Sequence, residues 1–187
     1  MLRSAFLILL LSLGAGLVGC ATPNLPEPRS LVTERLERIE DASLERLHTM
    51  GGIWLSSQPT EAELIALRDG GLVTVIDLRG PDEDRGFEEE RRAGELGLDY
   101  VALPIVSPDD LTDSTFNRGR ELFEGGTRPM LMHCKSANRV GALWLAWRAT
   151  DGGLPLEDAI EEAREVGLRN PALEARAREY IASRPRH

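Results

Sequence analysis

Cys134 and Arg139 stand at the two ends of "CKSANR", with Lys135, Ser136, Ala137 and Asn138 between them. A thiolate is a nucleophile, and backbone N–H groups at a helix start favour the ionised form. A guanidinium grips two oxygens of a tetrahedral anion with its planar fork. Small residues such as Ser136 and Ala137 let the loop curl until its N–H groups converge on that anion. Lys135, the single lysine of the chain, adds a local cation. This set specifies a covalent-intermediate enzyme acting on an anion. Cys134 and Arg139 are its candidate catalytic residues, and Lys135, Ser136, Ala137 and Asn138 form its candidate substrate-binding loop. His133 stands directly before the cysteine, where an imidazole could also serve as a base.

Such a loop needs a strand to deliver the cysteine and a helix to receive the arginine. "PMLMH" reads as a buried strand, and "NRVGALWLAWRAT" as a helix packing Leu143, Leu145 and Trp147 around the core. "LVTVIDL" is a β-branched apolar run bounded by glycine, as expected of a strand covered on both faces. "IWLSS" and "YVALPI" read as further strands. "PTEAELIALRDGG" predicts a helix with Thr60 as N-cap, Glu63 at the capping-box position and Gly70-Gly71 as its stop. "LTDSTFNRGRELFEGG" predicts a helix capped by Thr112, and Asn170-Pro171 opens a last one, "PALEARAREYIAS".

In "LVTERLERIEDASLERLH", Val32, Leu36, Ile39, Leu44 and Leu47 recur at helical spacing and predict a first amphipathic helix. The run "PDEDRGFEEERR" reads as a solvated, charged face that becomes a helix ending near Gly97. Asp77 and Arg79 end a central strand, where an ion pair would stabilise the following loop. Strands alternating with helices predict an α/β fold of three layers, a mainly parallel central sheet flanked by helices.

Of the 187 residues, 31 are acidic and 22 basic, for a formal net charge of −9. That balance argues against nucleic acid as a partner and against a polybasic membrane patch. Arg3 and the apolar run "AFLILLLSLGAGLVG" form a secretory signal over residues 1–19. "LVGC" resembles a bacterial lipobox, which implies a lipidated Cys20 followed by a Pro-rich tether, together residues 20–29. Ala21 in place of an aspartate implies anchoring in the outer membrane of a Gram-negative cell, facing the periplasm. Several acyl chains suffice for stable anchoring. Residues 30–187 have the size of one domain with a proper core. With Cys20 lipidated, Cys134 has no intramolecular partner, and a free thiol in an oxidising compartment leans toward use as a nucleophile. His48 and His187 lie far apart without ligand spacing, so no metal site is expected.

"MLMHCKSANRVGA" resembles the signature of the cysteine-dependent tyrosine and dual-specificity phosphatases, in which an apolar strand leads into His-Cys and an arginine closes the loop. The ordered set Gln58-Pro59-Thr60, Asp77-Leu78-Arg79 and His133-Cys134 resembles a bacterial dual-specificity-like branch. That branch includes domains fused to NAD kinase-like or beta-lactamase-hydrolase-like partners. The resemblance runs from about Gly52 past the "ALWLAW" helix. It implies a dual-specificity phosphatase-like domain over residues 30–187, a phosphorylated substrate, a phosphocysteine intermediate and no metal or organic cofactor. It also implies a general acid on "SPDDLTDS": Asp110 is the first choice and Asp109 the second, although acidic residues there are also ordinary helix caps.

Three features depart from the phosphatase pattern. Four residues rather than five separate Cys134 from Arg139, with no glycine among them, and Val140 stands where a serine or threonine usually follows the arginine. The four-residue spacing resembles the Cys-x-x-Gly-x-Arg loops of rhodaneses. A rhodanese-like sulfurtransferase carrying a Cys134 persulfide is therefore one alternative, and a non-catalytic anion- or phosphoprotein-binding lipoprotein is the other.

Overall fold

The computed structural model describes residues 32–40 and 43–184. The signal segment, Cys20, the tether and His187 lie outside the described residues. In chain order the elements begin with β1 (Glu37–Arg38), β2 (Leu47–Met50), β3 (Ile53–Ser56) and α1 (Glu61–Asp69). They continue with β4 (Thr74–Asp77), α2 (Glu89–Glu95), β5 (Asp99–Ala102) and α3 (Asp113–Gly125). β6 (Met130–His133), α4 (Asn138–Thr150), α5 (Leu156–Val166) and α6 (Pro171–Ala182) complete the chain.

The strands form one sheet in the order β1-β2-β3-β6-β4-β5. β3, β6, β4 and β5 run parallel, and β1 and β2 extend the β3 edge antiparallel. β6 lies inside the sheet, and register places Ser56 on one side of His133 and Asp77 on the other. Alternation along the strands divides the core in two. Ile53, Leu55, Ile76, Met130 and Met132 face α3, α4, α5 and α6, while Trp54, Val75 and Leu131 face α1 and α2. The result is the three-layer α/β architecture expected from the alternation of elements.

Local signals place most boundaries. The Thr60 hydroxyl accepts from Glu63 N–H while the Glu63 carboxylate takes Thr60 N–H, a closed capping box. Thr112 caps α3 and Asn170 caps α6 ahead of Pro171. Helix α5 adds to the elements expected from the sequence. It packs so closely on α4 that a Cβ on Gly141 would come within 2.8 Å of the Ala163 carbonyl.

Among the described residues the expected first helix is not formed; the segment supplies β1 and the start of β2 instead. Leu47 pairs with Ser56 and Met50 with Ile53, so the segment's backbone hydrogen bonds go to a sheet edge. Leu44 and Leu47 reach the core from that edge, 4% and 1% exposed. Tertiary pairing has overridden a helical apolar period.

Candidate active site

β6 ends at His133 and α4 begins at Asn138, so residues 134–137 must reverse direction between a sheet and a helix. Ala137 makes the turn in the left-handed region, at φ 61°. That conformation costs a residue with a Cβ about 1–2 kcal/mol. Ala137 holds the fourth place of the Cys-x-x-Gly-x-Arg pattern and adopts the backbone for which glycine is the ordinary choice. Its methyl is buried against Gly167, where an added Cβ would lie 2.8 Å from the Ala137 Cβ.

The loop leaves its donors free. Among the described residues, no hydrogen-bond acceptor meets the backbone N–H groups of residues 135–140. Cys134, at the start of this run, is fully buried and forms no disulfide. The Lys135 carbonyl is tied to Gln58 N–H at 3.4 Å. Unpaired N–H groups that follow a buried cysteine at a helix start are an arrangement able to hold a tetrahedral anion.

Arg139 is held on one edge. Nη1 donates to the Ile105 carbonyl at 2.8 Å, the Leu78 carbonyl at 3.2 Å and Glu83 Oε1 at 2.5 Å, and Nη2 to Glu83 Oε2 at 2.8 Å. No oxygen of another described residue takes Nε, and Cys134 interacts with the same guanidinium. Burial works against the guanidinium charge, but the Glu83 carboxylate and the neighbouring Cys134 outweigh it and raise its pKa further. The Arg139 hydrogen bond in turn holds the Glu83 carboxyl below the usual range. Glu83 belongs to "PDEDRG", the run expected to be a solvated face, and it instead orients the arginine. Its spacing to Arg139 of 56 residues hid the pair from a sequence reading.

A second charged assembly lies behind the loop. Arg79 Nε donates to Asp77 Oδ1 at 2.8 Å, and Nη2 to Asp77 Oδ2 at 3.0 Å and to Glu89. Tyr100 adds its hydroxyl to Asp77 Oδ2 at 2.8 Å. His133 Nε2 lies 2.8 Å from Glu89 Oε1 without the alignment of a hydrogen bond. The ion pair expected of Asp77 and Arg79 is thus present, and Glu89 of the same charged run is buried at 1% exposure as its third member. Asp77, Glu89 and His133 bring possible metal-ligand atoms within 4.8 Å of one another. The Arg79 guanidinium bonded to both carboxylates already supplies the positive charge a cation would bring.

The other expected site residues divide. Lys135 is exposed and lines a cleft of about 420 Å³ with Gln58, Pro59 and Phe87. Ser136 is exposed beside it. Asn138 turns the other way: its Oδ1 accepts from Arg169 N–H at 2.8 Å and Asn170 N–H at 2.9 Å, pinning the α5–α6 connection to the loop. Asp110 lies on the turn 108–110 that follows the Ile105 carbonyl bound by Arg139. Its Oδ2 accepts from Val106 N–H at 2.9 Å and Ser107 N–H at 2.7 Å, and the Ser107 and Val106 N–H groups lower its pKa. Asp109 is exposed on the same turn and has no side-chain partner among the described residues.

A family model described as a DSP-PTPase phosphatase fused to NAD+ kinase matches residues 30–179. TpbA of P. aeruginosa superposes at TM-score 0.61 with 23% identity, over 80% of this chain and 90% of that one. A Cys-to-Ser form of TpbA in complex with pTyr gives 0.57 and 19% identity, over 88% and 90%. PTPMT1 gives 0.56 and 18% identity, over 70% and 90%. At these identities the structural likeness is one of fold. A search of curated proteins returns no match.

Proposed function

The chain belongs to the dual-specificity phosphatase family in its NAD-kinase-fused branch and is a phosphoric monoester hydrolase, and we propose that it works through a phosphocysteine formed on Cys134. The Cys134 thiolate attacks phosphorus, an S–P bond forms, and the ester P–O bond breaks. The unpaired N–H groups of residues 135–140 and the Nε edge of Arg139 take the charge that builds on the phosphoryl oxygens. Water then cleaves the S–P bond, releasing phosphate and regenerating the thiol.

The leaving oxygen needs a proton as it departs, and the turn carrying Asp109 and Asp110 is the source we assign. Asp110 must first release Val106 and Ser107 N–H groups, which favour its ionised form. Asp109 is the second candidate. Changing each to Asn separates them, since only loss of the acid slows turnover of esters with poor leaving groups while sparing p-nitrophenyl phosphate.

One observation carries the proposal: a run of unpaired backbone donors directly following a buried cysteine, closed by an arginine that Glu83 holds on one edge. The pTyr held by TpbA supports a phosphorylated side chain as substrate class. Replacing Cys134 with Ser is expected to abolish hydrolysis of p-nitrophenyl phosphate while leaving the melting temperature unchanged; retained turnover overturns the scheme. The four-residue spacing of Cys134 and Arg139 favours sulfur transfer as the second reading, and rhodanese activity on thiosulfate and cyanide is its test. The proposal also anchors the domain through a lipidated Cys20 at a periplasm-facing membrane. Cys20→Ala would then leave the membrane fraction.

A further inference from the structure

All five N–H groups of Arg85 are engaged, and four of them gather one loop. Nη1 donates to the Pro81 and Glu83 carbonyls, both at 3.1 Å, and Nη2 to the Gly80 carbonyl at 3.0 Å and the Arg79 carbonyl at 3.5 Å. Nε donates to Asp77 Oδ2 at 3.2 Å, which roots the side chain in the buried assembly around Arg79. The loop thus turns its carbonyls inward around a guanidinium. Within that fold Gly80 N–H donates to Glu83 Oε1 at 2.8 Å, and the same carboxylate grips Arg139. On the far side a Cβ on Gly80 would meet Val106 Cγ2 at 2.9 Å. The loop also crowds Asp82, Glu83 and Asp84 together, and Arg85 is the cation it encloses.

We propose that Arg85 is a positioning residue for the anion clamp: it shapes the loop so that Glu83 fixes one edge of Arg139 and leaves the other edge to the substrate phosphate. The inference rests on the phosphatase reading for its substrate, but the clamp it describes can be read by anion binding alone. Arg85 hydrogen-bonds neither Cys134 nor Arg139, although it reaches the cleft that Lys135 lines; it acts on the clamp through Glu83. A lysine cannot take its place, because one nitrogen with three donors does not span five acceptors.

The test is a coupling measurement on the full-length chain. Inorganic phosphate binding is measured by calorimetry, and kcat and KM on p-nitrophenyl phosphate, for the parent, Arg85→Gln, Glu83→Gln and the double variant. Each single change is expected to weaken phosphate binding about tenfold and to raise KM more than it lowers kcat, as loss of clamp alignment does. In the double variant the loss is expected to stay within about twofold of Glu83→Gln alone, because both changes undo one arrangement. Losses that multiply, or an unaltered phosphate affinity in Arg85→Gln, overturn the role. If Arg85→Gln fails to fold, Arg85→Lys keeps the charge and carries the same comparison. If the parent hydrolyses no phosphate ester yet the non-additivity in phosphate binding holds, the catalytic reading fails and the positioning role stands. A parent that binds no phosphate removes both.

Discussion

Two arginine–carboxylate assemblies sit at the carboxyl ends of neighbouring strands, and water reaches only one of them. Around Arg79, the side chains of Asp77 and Glu89 are at most 1% exposed, as is Arg79 itself. Arg139 and Glu83 keep 14% and 29% of their side-chain surface open. Opening the buried assembly strands a desolvated charge, so it has one workable arrangement. The half-open pair stays close to solvent, where exchanging a partner costs little. The two share one chemistry, and burial sorts the scaffold from the tool. Asp77 joins them, because both Arg79 and Arg85 bond to it.

The contrast can be broken at its strongest point first. Arg79→Ala leaves two buried carboxylates without their shared cation and is expected to cost about 3–5 kcal/mol in urea unfolding. A loss under about 1 kcal/mol would show that the buried assembly is no scaffold. Acid sharpens the same point. Burial alone would raise the Asp77 pKa, but the Arg79 hydrogen bond and nearby positive groups bring it from 3.8 down to about 2. As pH falls the unfolded chain takes this proton first. The Asp77 contribution, about 2 kcal/mol, is therefore whole above pH ~4 and lost as pH falls through about 2. Asp77→Asn should flatten stability across that window, and an unchanged slope would exclude Asp77 as its source.

The exposed assembly should behave oppositely. Glu83→Gln is expected to leave stability within about 1 kcal/mol while weakening phosphate and substrate binding about tenfold. Unfolding without a selective effect on KM would make Glu83 another scaffold residue. The smallest effect belongs to the loop between the two assemblies. Ala137→Gly relieves a left-handed alanine and should raise stability by about 0.5–1 kcal/mol. A destabilised variant would mean that the methyl packed on Gly167 matters more than the backbone.

How far the sequence speaks depends on the range of the interaction. Thr60 with Glu63, Asn170 with Pro171 and Thr112 announce helix starts because a cap is made within a few residues of itself. Cys134 and Arg139 are legible for the same reason, since strand, loop and helix follow one another directly. "LVTERLERIEDASLERLH" misleads because its helical period competes with a strand partner, Ile53–Ser56, that only the folded sheet supplies. "PDEDRGFEEERR" misleads because a charged run looks the same whether it faces water or, as with Glu83 and Glu89, two arginines elsewhere in the chain.

The sequence by itself determined the alternating strands and helices, the cysteine and arginine at a strand-to-helix turn, and the family to which that turn belongs. Only the tertiary structure decided which carboxylates meet which arginines, and that Ala137 would carry a glycine's backbone against Gly167. The division follows from distance along the chain. Backbone hydrogen bonds and caps are settled among near neighbours, whereas the burial of a charge is fixed by residues that folding brings from far away.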